Sequence, residues 1–255
     1  MTYGRRVLVH PDLPSLVGAV AARFLTKLVD LLEERDEVHI ALTGGTAGTD
    51  VLRGVGVSPM RDSIDWTRVH FWWGDERFVP KQDSDRNEKQ AREALLAQLP
   101  TPEDHIHPFP ASDEIPDLDT AAAAYAEELR RHATGEAGVP RFDITFLGVG
   151  PDGHVASLFP GFPNHEGPAT VISVRDSPKP PPNRLSLTFP ALNESTRIWL
   201  VLAGAEKASA LGLALAGASP SEVPSAGVQG RKRTVYFVDQ AAASQVPQNL
   251  IASQY

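Results

Sequence analysis

Hydrophobic positions along the chain follow two alternating rhythms. Short apolar runs at residues 6–10, 38–42, 69–73, 142–147, 170–174, 185–188, 198–202 and 234–238 have the length and β-branched or aromatic content of strands. Between them, apolar residues recur at helical spacing. Leu13, Leu16, Val17, Val20, Phe24, Leu28, Leu31 and Leu32 would line one face of a long helix. Residues 49–53, 87–99, 119–132 and 206–216 are helix-compatible, with Asp83, Ser84 and Asp85 placed ahead of the second as candidate caps. This β-then-α order predicts an α/β fold: a mostly parallel sheet with helices on both faces. No internal repeat or clean break interrupts it, so residues 1–255 are expected to form a single domain. Two stretches look loop-like, 100–117 and 160–182. The second holds Pro178-Lys179-Pro180-Pro181-Pro182, which is stiff and extended, either as a plain connector or as a wall of a site.

The chemistry-bearing residues fall where predicted strands end, the place at which open α/β sheets bind ligands. Leu42 to Thr49 reads LTGGTAGT. Glycines between a strand and a helix leave backbone N–H groups free at a positive helix end, an anion cradle of Gly44, Gly45 and Thr46; a plain tight turn is the alternative. The lysine of a Walker loop is missing. Gly74 to Val79, GDERFV, follows the run VHFWW. There Arg77 offers a bidentate grip on phosphate or carboxylate and Asp75 an acceptor for a hydroxyl or water, unless the group is only a solvated ion cluster. Trp72 and Trp73 are expected in the core. Leu202 to Lys207, LAGAEK, repeats the strand-to-helix theme with Lys207 as a candidate anion contact, and Arg184, opening RLSLT, is another.

The most informative stretch is Phe142 to Gly161, FDITFLGVGPDGHVASLFPG. An apolar run enters a glycine-rich turn bearing Asp152 and His154. Histidine there is a candidate general base. Gly148, Gly150 and Gly153 match the dinucleotide pattern G-x-G-x-x-G, with Asp176 downstream, but that reading fails: Pro160, Gly161, Pro163, Gly167 and Pro168 leave no room for the long helix it requires. The other histidines, His10, His39, His70, His105, His107, His132 and His165, are assigned structural roles.

Bulk properties narrow the field. A net charge of −8 makes general nucleic-acid binding a poor expectation, so any anion site must be built locally. The absence of cysteine rules out disulfides, thiolate catalysis and Cys-ligated zinc. No apolar stretch reaches membrane-spanning length and the first residues lack a signal-peptide core, so a soluble cytoplasmic protein is expected.

Taken in order, LTGGT, WWGDERFVP, DSDRNEKQAR, FDITFLGVGPDGHVASLFPG, PKPPPNRLSLT and LVLAGAEKA resemble the 6-phosphogluconolactonase family, within the group that includes glucosamine-6-phosphate deaminase and the ribose-5-phosphate isomerases. The resemblance implies a Rossmann-like fold and hydrolysis of 6-phospho-D-glucono-1,5-lactone to 6-phosphogluconate in the oxidative pentose phosphate pathway, with no organic cofactor and no metal. It implies His154 as the base that activates water and returns the proton to the ring oxygen. Arg77 then binds phosphate or developing negative charge, and Asp75 meets sugar hydroxyls or the water. Asp152 sets the turn or contacts the sugar, being too near in sequence to assume a bond to His154. Gly44, Gly45, Thr46, Arg184 and Lys207 form the phosphate cradle. Phe159 stands where the related deaminases carry a ring-opening glutamate, which counts against the alternative of an aminosugar deaminase or phosphosugar isomerase. A non-catalytic phosphosugar sensor is the remaining alternative. Arg86 precedes Asn87 where a serine is common in the family, and its role is open. A monomer is expected.

Overall fold

Successive residues of a strand point to opposite faces of its sheet, so a strand buried at every position is covered on both sides. In the computed structural model, which describes residues 5–135, 137–162 and 167–251, this holds for β3 (Val69–Trp73) at all positions and for β8 (Arg197–Leu202) and β9 (Arg233–Asp239) beyond their first residue. With β1 (Arg5–His10), β2 (Val38–Leu42) and β5 (Ile144–Gly148) they form a six-stranded, wholly parallel sheet of order β1-β9-β8-β5-β2-β3. The flanking helices are α1 (Leu13–Glu34), α2 (Thr46–Val57), α3 (Asn87–Ala94), α4 (Leu118–Arg131), the short α5 (Phe189–Asn193) and α6 (Ala208–Leu215). Among the described residues no helix is long and apolar enough to cross a membrane.

The α1 stripe buries Leu16, Val20, Phe24, Leu28 and Leu31, as its spacing predicts, and Asp12 caps it by accepting a hydrogen bond from the Ser15 N–H at 2.8 Å. Trp72 and Trp73 are fully buried, also as expected. Other expectations need correction. Helix α3 ends at Ala94, followed by a separate 3-10 turn at Leu96–Gln98. None of Asp83, Ser84 and Asp85 caps it. Its first N–H groups, on Asn87 and Glu88, donate to the carboxylate of Glu76 at 2.7 and 2.9 Å. Lys207 lies in a 3-10 turn, Ala205–Lys207, just ahead of α6 rather than within its first turn.

The mostly parallel expectation holds for the main sheet, but a second, antiparallel sheet of order β4-β7-β6 was not foreseen: β4 (Asp75–Arg77), β7 (Arg184–Leu187) and β6 (Val171–Val174). Gly74 is the junction. Its N–H donates to Leu42 O in the main sheet, while its carbonyl accepts from the Leu187 N–H of the small one. The chain thus leaves β3 and immediately lays Asp75 and Arg77 over the carboxyl edge of the large sheet.

At the opposite edge, where β2 and β3 begin, His39 and His70 occupy matched positions and stack at 4.7 Å. His105, His107 and His132 complete the group. Burial, then the neighbouring histidines, brings His39 down to about 3. Burial likewise brings His107 down to about 4, against the pull of Glu128. These five histidines pack against one another at the end of the sheet away from the cleft; His165 lies outside the described residues.

Candidate active site

The main sheet reverses its order of strand addition between β2 and β5: the chain passes from β2 outward to β3, and from β5 the other way to β8. Loops leaving these two strands therefore diverge and open a crevice at their carboxyl ends. A cleft of about 270 Å³ lies there. Its walls are Gly44 and Gly45 after β2, Gly148 to Gly150 and His154 after β5, and Asp75 and Arg77 from β4.

The turn after β5 closes on itself. Gly150 N–H donates to His154 O and Gly153 N–H to Gly150 O, both at 2.9 Å. Gly153 is left-handed at φ +86°, a conformation that glycine adopts without strain. This curl brings Asp152 onto His154: Nδ1 stands 2.6 Å from Asp152 Oδ1. Adjacency in sequence therefore did not prevent the bond, and Asp152 orients the ring. With Nδ1–H donated to the carboxylate, Nε2 carries the lone pair, the tautomer a general base needs. Burial alone would raise Asp152, but the bond from His154 and the charges of His154 and Lys179 prevail and hold it at about 2. The imidazole also rests on Phe159, ring centroids 4.7 Å apart. Phe159 is fully buried, so at this position an aromatic ring, and not a second carboxylate, packs against the base.

Asp75 is buried, and its Oδ2 accepts from Ser157 Oγ at 2.7 Å. Arg77 donates from Nη1 to Asp85 O at 2.7 Å, while its buried Nε has no partner among the described residues. Lys207 faces the cleft; burial lowers its pKa, with Glu206 pulling the other way. Its loop is anchored by Asp239 at the end of β9, whose carboxylate accepts from the Gly204 N–H at 3.1 Å. Gly45, at φ +81°, turns the chain into α2. Thr46 is exposed and lines an adjoining recess shared with Glu206 and Lys207 instead of the main cleft. Arg184 lines the cleft but is itself buried. It donates to the carbonyls of Pro181 at 3.2 Å and of Lys179 and Pro180 at 3.1 Å. Its described bonds thus clamp the proline-rich loop, which carries Lys179 to 3.8 Å from Asp152.

Several residues escaped sequence reasoning. Asn87 donates from Nδ2 to Asp75 O at 2.9 Å, and its buried Oδ1, without a partner among the described residues, faces the space left by the absent side chain of Gly44. Glu76 ties Arg77, Asn87 and Glu88 together through their backbone N–H groups. Burial pushes it up to about 7, against Arg86 and those three bonds. Arg86 is fully buried and bonds Glu88 at 3.0 Å and Phe109 O at 2.7 Å, with Glu76 at 3.8 Å. Its open role is thus answered: it balances two buried carboxylates beneath the cleft. Lys179 had a legible signal, a lone cation inside a proline run; Ser157 had none.

A family model described as glucosamine-6-phosphate isomerases/6-phosphogluconolactonase matches residues 11–237. The chain is 48% identical over 250 residues to a 6-phosphogluconolactonase of Streptomyces coelicolor, covering 96% of each. It is 43% identical over 242 residues to one of Mycobacterium tuberculosis, covering 94% of this chain and 97% of the other. The fold superposes on a crystal structure of 6-phosphogluconolactonase from Thermotoga maritima with a TM-score of 0.82 at 30% identity, covering 92% of this chain and 100% of that one. On this evidence the chain belongs to the glucosamine-6-phosphate isomerase/6-phosphogluconolactonase family.

Proposed function

We propose that this protein is a 6-phosphogluconolactonase, hydrolysing 6-phospho-D-glucono-1,5-lactone to 6-phosphogluconate in the pentose phosphate pathway. One observation carries the reading beyond family membership. A protein of net charge −8 gathers Arg77, Lys179, Arg184 and Lys207 around a single cleft that also holds an Asp-oriented histidine. Local positive charge in an acidic protein suits a phosphorylated substrate, and the dyad suits water activation.

His154 takes a proton from a water through Nε2 while Asp152 holds Nδ1–H. The hydroxide attacks the lactone carbonyl, and negative charge gathers on its oxygen. Arg77, with its uncommitted Nε, stabilises that charge. Collapse of the tetrahedral intermediate breaks the bond to the ring oxygen, which takes the proton back from His154. Asp75, braced by Ser157, and the free Oδ1 of Asn87 accept from sugar hydroxyls. Gly44, Gly45, Thr46 and Lys207 hold the phosphate. Arg184 adds charge from beneath and positions Lys179. Residues 1–255 act as one catalytic unit and as a monomer.

The test is lactone disappearance above its spontaneous rate. Acceleration that is strong for the phosphorylated lactone, weak for the unphosphorylated one and lost in His154→Ala supports the reading. Lactone decay at the spontaneous rate alone refutes it, whereas release of ammonia from glucosamine 6-phosphate would make the protein a deaminase.

A further inference from the structure

We propose that His70, His107 and His132 form a binding site for a divalent transition-metal ion of the zinc class, at the end of the sheet opposite the catalytic cleft. The three donate from independent elements: His70 from β3, His107 from the segment after the 3-10 turn Glu103–His105, and His132 from the C-cap of α4. One ring nitrogen from each lies within 4.8 Å of the others. His70 Nδ1 and His107 Nε2 are 3.0 Å apart. Imidazole nitrogens bound to tetrahedral zinc at about 2.0–2.1 Å stand roughly 3.3 Å from one another, so this pair needs only a slight opening. The His132 ring is inclined at 68° to His107 and 57° to His70, so it lies out of the plane the other two rings share.

The hydrogen bonds around the pair reinforce this assignment. His107 Nδ1 is 2.9 Å from Glu128 Oε1 and donates its proton there, leaving the Nε2 lone pair directed at His70. A carboxylate behind a ligating histidine is the usual outer partner in zinc sites. Without a metal, His70 must donate from Nδ1 to His107. In the neutral ring its buried Nε2 then has no hydrogen-bond partner among the described residues and turns a lone pair toward Glu37 Oε2, 3.6 Å away. That arrangement leaves a buried acceptor unsatisfied beside an anion. A cation between His70 Nδ1 and His107 Nε2 moves the His70 proton to Nε2, where it faces Glu37. Each of these two ligands then has a carboxylate behind it. His105 is close to the same ring but stacks on it face to face at 3.8 Å and 20°, so its lone pairs run alongside His70 rather than converging with it. His132, about a third exposed, leaves an entry path and room for a fourth ligand from water.

The experiment is calorimetric titration of chelator-treated full-length protein with zinc chloride. The expected result is one ion per chain, bound as tightly in His154→Ala as in the parent. Affinity should fall at least tenfold in His132→Ala, at the partly exposed end of α4, and about 10- to 100-fold in Glu128→Gln through loss of the outer partner. Circular dichroism of both variants confirms that they are folded. Absence of saturable binding overturns the proposal, as does affinity unchanged in both His132→Ala and Glu128→Gln, or binding abolished by His154→Ala.

Discussion

Gly150 offers the sharpest probe of the dyad. Its backbone is outside the left-handed region, so alanine is conformationally tolerated there. The obstacle is steric. An ideal Cβ at this position would sit 2.0 Å from His154 Nδ1, 2.1 Å from Cε1 and 2.4 Å from Asp152 Oδ1. Restoring ordinary contact requires the imidazole to withdraw by about 1.4 Å. Misplacing a reacting group by about 1 Å costs on the order of 100-fold, and full loss of a general base costs roughly 10²- to 10⁴-fold. Gly150→Ala is therefore expected to lower kcat by about 10²- to 10⁴-fold, about 3–5 kcal/mol in the barrier. KM should stay within about threefold, because the phosphate contacts come from other loops. Initial rates of acid release, corrected for spontaneous hydrolysis, measure this, with urea unfolding as the control for the fold. The decisive comparison is the double variant. With His154 already replaced by alanine, the added methyl has no base to displace, so Gly150→Ala/His154→Ala should be no slower than His154→Ala. A wild-type rate in Gly150→Ala, or the same proportional loss in both backgrounds, refutes the reasoning.

Three further outcomes are expected. Lys207→Ala should raise KM for the phosphorylated lactone about 10- to 100-fold, the worth of one charge-assisted hydrogen bond, and leave an unphosphorylated lactone unaffected; equal effects on both would remove Lys207 from the phosphate site. Arg86→Met strips the cation from between Glu76 and Glu88, and urea unfolding at pH 7 should show a loss of about 3–5 kcal/mol; a change below about 1 kcal/mol would contradict that role. In metal-free protein, His39 at about 3 sits below its ordinary 6.5. The unfolded chain then binds a proton that the native one refuses, so stability falls as pH drops from about 6.5 toward 3, by up to about 1.4 kcal/mol per unit. His39→Asn should flatten that slope by about one proton between pH 6 and 4, and parallel slopes would exclude His39 as its source.

The site was legible where local chain chemistry decides it. Glycine runs after apolar strands mark the carboxyl-edge loops, so Gly44, Gly45, Asp75, Arg77 and His154 were found from sequence and meet in one cleft. What escaped depends on partners distant in sequence or on the curl of a turn. The cap of α3 comes from Glu76, eleven positions before Asn87, and defeated a rule that looks only at adjacent residues. The small antiparallel sheet pairs β4 with β7 across more than a hundred residues, and no hydrophobic rhythm encodes such a register. Arg184 reads as a free cation in RLSLT, yet its bonds go to carbonyls of the proline loop. The Asp152–His154 bond needed the left-handed Gly153, visible only as a glycine until the turn was built. Each of the five clustered histidines reads in the sequence as an isolated structural residue, and nothing along the chain announces that they converge.

The pairing of β1 with β9 sets the schedule of assembly. Arg5 lies opposite Thr234, so β1 has its sheet neighbour more than two hundred residues downstream. At roughly 5–20 residues per second, β1 waits on the order of 10–50 s for that neighbour to be synthesised. Until then α1 has no complete sheet to cover, and once β9 docks on β8 its far edge stays open until β1 arrives. The final closure spans nearly the whole chain, the costliest loop in this topology. Biogenesis of this protein is therefore most exposed to aggregation in the interval before β9 docks and β1 closes on it, at the edge farthest in strand order from the catalytic turn.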